Sequence, residues 1–489
     1  MKKIYVISVV FLSVIVLLNS SCSTTFTPDS SYIQKEKVNM LKVADFPNTH
    51  LFNGFSVEWD PHLFRNWNMD IISMNEMFDP EQDWPLFVKR IQEMRLQRAR
   101  MMMQPEWFSN AVGSYDFSEG NEAIQAVIKQ LDLAQAFGIR INLTIWCADR
   151  NSFLGFSNSP EWCSAPNDIE AYADVVVHIL REFRVNRGYS CIRELTLFNE
   201  PSWAYYGADG KVSFADYSTM VRKVDERLRE EKLRDLVELV VSDDAEHTAW
   251  YKQSVDALAD IADIYASHTY AYGMETANRT ISDWAKEHTS YSATNGGNKP
   301  FLVDEFGTNN VIPPMKATDV YTYERGLFLA KFSVDVLNSG VSGVSYWCMY
   351  DENYGYGNRM EVGLWGFADE HYAVRPTYHA WSALNRYTAV NSLIYEIASD
   401  AEEELTATAF LAQDGRWTYV IVNLSEASHE FSLFSGQKQQ ERYQRILYEE
   451  DTLPEADTLL SPDKSIIMSE GKFTDILPAK SFAIYYGQI

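Results

Sequence analysis

The chain has 489 residues, 46% of them hydrophobic and 22% charged, with a formal net charge of -26. That composition supplies a large buried core and excludes a disordered chain. The acidic balance excludes nucleic acid as a partner, because a phosphate backbone requires a basic face.

Met1-Lys2-Lys3 is a positive start, Ile4 to Leu18 is apolar, and Asn19-Ser20-Ser21-Cys22 follows. The pattern reads as a secretory signal, since the apolar run is too short and wrongly flanked for a spanning helix. A cysteine after small residues resembles a bacterial lipoprotein cleavage site, although Leu18 stands four residues before it where three is usual. The expectation is a signal peptide over 1–21, lipidation at Cys22, and a tether and lead-in over 22–48. Such a protein is exported and held on a bacterial membrane by its anchor, in the periplasm or at the cell surface. Four further cysteines, Cys147, Cys163, Cys191 and Cys348, lack zinc-type spacing. Cys147 and Cys163 can close a loop or remain buried thiols.

From about residue 50, short β-type runs alternate with longer helical patterns. A strand over 52–59 precedes a helix over 84–94. The strand 98–103 precedes a helix over 121–137, where Ile124, Val127, Ile128 and Leu131 share one face. The third strand, 140–146, is followed by a helix over 169–183, and the fourth, 194–199, by one over 214–230. The fifth, 237–243, leads to a helix over 250–259, and the sixth, 264–268, to one that contains 281–288. The seventh, 301–304, leads to a helix over 321–338, and the eighth, 343–349, to a helix over 375–386.

Eight strand–helix units predict an α/β fold, a (β/α)8 TIM barrel over 49–387. The alternative is an open doubly wound sheet, but no glycine-rich phosphate turn follows any strand. After Tyr387 the runs become short and β-rich between polar turns, which predicts an all-β sandwich over 388–489.

A barrel carries its site at the C-terminal ends of its strands. Those tips hold Glu58-Trp59-Asp60, Arg98 and Arg100, Trp146, Asn199-Glu200, Asp243-Asp244, His268 with Tyr270, Asp304-Glu305 and Trp347. Glutamates on the fourth and seventh strands would face each other across the mouth. Glycosidic hydrolysis needs such a pair, one carboxyl to protonate the leaving oxygen and one carboxylate to attack the anomeric carbon. Pro201 biases Glu200 away from helical angles and ends the ladder, so that Asn199 and Glu200 both reach the mouth.

Leu197-Phe198-Asn199-Glu200-Pro201 and Phe301-Leu302-Val303-Asp304-Glu305-Phe306-Gly307 resemble the strand-four and strand-seven signatures of the clan A retaining glycoside hydrolases, which include the cellulase family, family 5. The second glutamate follows the first by 105 residues. Arg375-Pro376-Thr377-Tyr378-His379-Ala380-Trp381 also resembles the start of the last helix in these enzymes. The resemblance implies a retaining β-glycosidase acting on a plant-type β-glycan (glucan, mannan or xylan) or its oligosaccharides. It implies Glu305 as nucleophile and Glu200 as acid/base, its pKa raised by an ionised Glu305 about 5 Å away. Arg100 and Tyr270 would hold Glu305 ionised. Asn199 would bind the sugar 2-hydroxyl, Trp347 would floor the sugar, and His268, Glu58 and Trp59 would complete the substrate site. No metal and no organic cofactor is expected. Two departures stand out: Trp146-Cys147 ends strand three where many family 5 members carry histidine, and apolar Leu197-Phe198 precedes Asn199. The appended sandwich resembles families 30, 39 and 51 of the same clan.

Other tip residues carry plainer expectations. Arg98 lies deeper on its strand and is expected to be structural. Asp243-Asp244 reads as a loop cap. Trp107, Trp146, Trp203 and Tyr205 are candidates for sugar stacking. The acidic stretch Asp351-Glu352-Asn353 lacks the EF-hand pattern and is not expected to hold calcium. The rival reading from another class is a non-catalytic carbohydrate-binding protein on a barrel scaffold.

Overall fold

A computed structural model describes residues 38–487 apart from 62–78, 80, 161–162, 272–274, 277–278, 309–310, 313–315, 318, 354–358, 402–403 and 437–440. The signal segment and the Cys22 lipidation site lie outside the described residues.

Eight parallel strands close a barrel in chain order: β1 (Gly54–Glu58), β2 (Arg98–Met103), β3 (Arg140–Ile145), β4 (Ile192–Thr196), β5 (Glu238–Ala245), β6 (Ile264–Ala271), β7 (Phe301–Thr308) and β8 (Gly343–Tyr346). The helices between and after them are α1 (Trp84–Met94), α2 (Glu122–Phe137), α3 (Ile169–Leu180), α4 (Phe214–Glu230), α5 (Thr248–Leu258), α6 (Ile281–Asn295), α7 (Tyr323–Asn338) and α8 (Pro376–Tyr387). Local chemistry sets their ends. Asn121 caps α2 through Ala123 N–H, and Gly138 closes it at φ 69°. Ser213 and Asp216 form a reciprocal capping box on α4. Pro376 occupies the first turn of α8, where its missing N–H costs nothing.

The strands' outward faces and the helices bury one apolar core, including Ile91, Ile141, Leu195, Phe332 and Trp381. The barrel interior is different, being polar in two layers. In the lower layer Arg98 bonds Asp304 at 2.5 and 3.0 Å and Glu194 at 2.9 and 2.5 Å. Asn142 joins it by donating to Asp304 at 2.7 Å. Arg98 is therefore structural, as its depth on β2 implies. Arg100, two residues on and on the same face, begins the upper layer.

The second architecture is a nine-stranded sheet. Its strands after the barrel are β9 (Leu393–Ser399), β10 (Leu405–Leu411), β11 (Trp417–Asn423), β12 (His429–Phe434), β13 (Glu441–Tyr448), β14 (Pro462–Met468), β15 (Lys472–Leu477) and β16 (Ser481–Gly487). The sheet curls over its own core, so that Phe473 of edge strand β15 packs on Tyr485 of β16 and Tyr443 of β13. The expected lead-in over 22–48 needs correcting. Within it Asn39–Val43 is a strand with alternating burial that pairs antiparallel with β9 and parallel with β12. Its alternation covers only five residues, too short a signal to stand out beside a polar tether.

Candidate active site

Alternation along a strand sends neighbouring residues to opposite faces. Three strand tips break that rule, each by a local backbone device. On β7 the pairing register shifts so that Val303 faces Ser267 and Glu305 faces His268, which leaves Asp304 as an extra residue. The bulge turns two consecutive acids inward, Asp304 to the lower layer and Glu305 to the upper. On β5 a register shift between Ser242 and Asp244 coincides with left-handed backbone at Ser242 (φ 78°) and Asp243 (φ 47°). That aims the Asp243 side chain into the mouth. Beyond β4, Glu200 is left-handed at φ 49° and caps the short helix Pro201–Ala204. The pre-proline bias expected at Glu200 thus resolves not as extended backbone but as a left-handed turn. Its N–H is held by the carbonyl of Asp243 at 3.0 Å.

Arg100 is fully buried and joins the tips. Its Nη1 donates to Glu58 at 2.9 Å and Glu305 at 3.1 Å. Its Nη2 donates to Asn199 Oδ1 at 2.7 Å and Asp243 at 2.6 Å. Tyr270 donates its hydroxyl to the other oxygen of Glu305 at 2.5 Å. His268 lies 3.0 Å from Glu200 through Nδ1 and 3.0 Å from Asp243 through Nε2, with Glu305 at 3.4 Å. Both ring nitrogens face carboxylate oxygens, an arrangement that an imidazolium satisfies.

The electrostatics follow from this packing. Burial opposes the charge on His268, but Asp243 and Glu305 outweigh it and hold the imidazole well above its usual pKa. Burial also opposes the charge on Asp243, yet Arg100 and His268 bring its carboxyl down to about 2. For Glu305 burial is the largest influence and raises the carboxyl. His268 and Arg100 oppose that rise with their charge and Tyr270 with its hydrogen bond, while Glu200 adds to it. Burial pushes Glu58 well above the carboxylate range, with Arg100 opposing and Asp60 adding.

The structure brings Glu200, Glu305, Asn199, Arg100, His268, Tyr270 and Glu58 into one network. Trp347 packs beside it in a small cluster with Met102, Trp146 and Tyr270. Trp59 does not belong. It is wholly buried in the apolar core, because alternation sends it away from the interior that Glu58 faces. Glu58 is itself buried behind Arg100, so it positions the arginine rather than meeting solvent. Tyr205 is buried against Phe198, whereas Trp203 is 62% exposed. Asp351 pairs with Arg375 at 2.6 and 2.7 Å. Asp244 is a cap as expected, accepting from His247 N–H at 2.7 Å and from Ser242. Asp243 is the site residue the sequence reading missed, and its only signal was a polar pair ending an apolar strand.

Glu200, His268 and Glu305 offer ligand atoms within 4.8 Å of one another, so the same three side chains could grip a cation. One imidazole and two carboxylates suit a divalent metal in number. The hydrogen bonds of His268 and Tyr270, however, already engage four of those side chains' polar atoms, Glu200 Oε1, Glu305 Oε1 and both ring nitrogens.

No family model and no curated protein matches the sequence. Solved structures do match in fold. A family 30 subfamily 8 xylanase from Clostridium acetobutylicum is 13% identical, with 92% of this chain and 100% of that chain covered at a TM-score of 0.63. A family 39 enzyme from Xanthomonas axonopodis pv. citri is 14% identical, with 94% and 99% covered at 0.61. The endo-β1,6-glucanase BT3312 is 13% identical, with 96% of each chain covered at 0.64. At these identities the likeness establishes the fold, a barrel with its β-rich companion.

Proposed function

We propose that the protein is a retaining β-glycosidase that hydrolyses a β-glycan (glucan, mannan or xylan) or its oligosaccharides by double displacement. The observation that carries this reading is the carboxylate pair. Oxygens of Glu200 and Glu305, on the tips of β4 and β7, lie within 4.8 Å across the barrel mouth. Retaining enzymes hold their two carboxyl groups about 5–5.5 Å apart, and inverting ones leave room for a water. Structural neighbours that include a xylanase and an endo-β1,6-glucanase favour the same class.

In this mechanism Glu305 attacks the anomeric carbon. Arg100, His268 and Tyr270 stabilise its ionised form, and they let it leave again from the glycosyl ester. His268 occupies Oε1 of Glu200, so Oε2 is the oxygen that carries the proton to the departing sugar. Glu200 then takes a proton from the water that hydrolyses the ester. Arg100 fixes Asn199 through Oδ1, which leaves its amide N–H group as the donor for the sugar 2-hydroxyl. Trp347 offers an apolar face beneath the ring.

The test uses dinitrophenyl β-glycosides, which need little protonation. Glu200→Ala forms the glycosyl-enzyme and stalls, and azide releases a β-glycosyl azide. Glu305→Ala gives with azide only the α-product or none. The opposite pattern would reverse the roles, and an inverted first product anomer by NMR would overturn the mechanism. Activity unchanged by chelation is expected. Loss on chelation restored by zinc or manganese would favour a metal held by Glu200, His268 and Glu305, and sugar binding without cleavage would favour the non-catalytic reading.

We further propose export and lipid anchoring at Cys22. Cys22→Ala should release the protein from the membrane fraction, and a membrane-free wild type would refute the anchor.

A further inference from the structure

We propose that Trp203 is the platform for the leaving sugar, and that it sets how strongly the protein favours a sugar over a small leaving group. The inference rests on the glycosidase reading and deepens it. Trp203 is 62% exposed, the only exposed tryptophan among the described residues. Tryptophan is well buried on average, so an indole left in water calls for a partner to cover it. Its place in the chain ties it to the proton donor. Glu200 caps the short helix Pro201–Ala204, and its carbonyl accepts the N–H of Trp203 at 2.9 Å and that of Ala204 at 2.8 Å. These bonds close one turn, and residues three apart on a turn bring their Cβ atoms within about 6 Å. The departing oxygen takes its proton from Glu200, so the sugar behind that oxygen lies on the Glu200 side of the mouth, away from Glu305. Trp203 is the exposed aromatic on that side's own segment, since Tyr205 is buried.

The ring is held rather than free. Lys211 Nζ lies 5.3 Å from the centre of the Trp203 ring and 5.7 Å from that of Tyr206, and it donates to Ser202 O at 3.1 Å. Lys211 comes from a hairpin in which it pairs with Tyr206, and directly paired residues share a face. The Ser202 hydroxyl accepts the N–H of Ala245 on β5 at 3.0 Å, which fixes the short helix to the barrel. The cation supports the indole by its charge and leaves ring area open for the apolar C–H face of a sugar. A platform fixed before binding loses little rotamer freedom when it is covered. The contact forms with a sugar leaving group in the first step, and again when a sugar hydroxyl replaces water in the second. In that transfer the acceptor oxygen bonds to the anomeric carbon, the ester bond to Glu305 breaks, and the acceptor's proton goes to Glu200. A fluoride leaving group and an attacking water do not use the platform.

The test compares Trp203→Ala with wild type on β-linked gluco-, manno- and xylo-oligosaccharides and on the matching β-glycosyl fluorides. For the oligosaccharide that wild type cleaves best, kcat/KM should fall about 10-fold or more. For the fluoride of the same sugar it should change less than about twofold. With that fluoride as donor and the oligosaccharide as acceptor, the ratio of transfer to hydrolysis should fall with the loss on the oligosaccharide. Trp203→Phe should recover part of both effects. If Trp203→Ala fails to fold, Trp203→Leu serves in the same assays. A merely structural role lowers both substrates together and leaves the ratio unchanged, so equal losses would overturn the platform, as would unaltered cleavage of the oligosaccharide. A wild type that turns over neither oligosaccharides nor fluorides would instead overturn the glycosidase reading, and this inference with it.

Discussion

Asp243→Asn is the most informative single change, because Asp243 was expected to cap a loop and instead anchors two cations. Its carboxyl lies at about 2 against an ordinary value of 3.8. Burial works against the charge, and Arg100 at 2.6 Å and His268 at 3.0 Å more than compensate. A depressed carboxyl contributes stability above its unfolded pKa, and that contribution is lost as pH falls through the folded value. The shift corresponds to about 2 kcal/mol at neutral pH, disappearing between about pH 4 and pH 2. An asparagine is isosteric but offers one oxygen, so its amide hydrogens meet either Arg100 or His268. Urea denaturation at pH 7 should show the variant less stable by at least about 2 kcal/mol, up to about 5 if Arg100 is left poorly paired. The two proteins should converge in stability towards pH 2. The value of kcat/KM should fall about 100-fold, since Arg100 and His268 both touch catalytic carboxylates and small misplacements cost that much. An unchanged stability at pH 7 with an unchanged acid slope would refute the assignment of Asp243 as the anchor.

Tyr270→Phe removes the hydrogen bond that favours ionised Glu305, so the acid limb of kcat/KM should move to higher pH with an activity loss of about 10–100-fold, read from pH–rate profiles. Arg98→Met leaves Asp304 buried without its cation and Glu194 with Arg140 alone. It should cost about 3–5 kcal/mol in denaturant titrations, while kcat at a temperature where the variant stays folded changes less than about threefold. Burial raises Glu106 to about 7 from 4.5. A raised carboxyl contributes stability below its unfolded pKa that is lost as pH rises through the folded one. Glu106→Gln should therefore gain on wild type between about pH 4.5 and 7 in thermal melts, and a constant difference across that window would refute the shift.

The barrel was legible because its strands are buried on both faces and its helices are amphipathic, so the period of the pattern changes at each boundary. Glu200 and Glu305 were legible because residue type and strand position coincide with a need for paired carboxylates. What escaped was decided by backbone details that one-dimensional alternation does not carry. The bulge at Ser242–Asp244 turns Asp243 into the site, and nothing in VELVVSDDA distinguishes it from Asp244. Trp59 was misplaced because tip residues were assumed to leave strand geometry, whereas here alternation persists through it. Glu58 was assigned to substrate, but the charge of Arg100 claims it first.

The polar layers inside the barrel bear on how the chain can be divided. Arg98 of β2 reaches Glu194 on β4 and Asp304 on β7. Arg100, also on β2, reaches Glu58 on β1, Asp243 on β5 and Glu305 on β7. A cut after β4 separates both arginines from partners on the far side. A front half would keep Glu194 for Arg98 and Glu58 for Arg100 but lose the other carboxylates that share each guanidinium. A rear half would carry Asp243, Asp304 and Glu305 without the guanidinium groups that hold them. The rear half keeps a small apolar layer at its centre, Val240, Ile264, Ala266 and Leu302, but the acids above that layer lose their cations, so each half is expected to need the other to balance its buried charge.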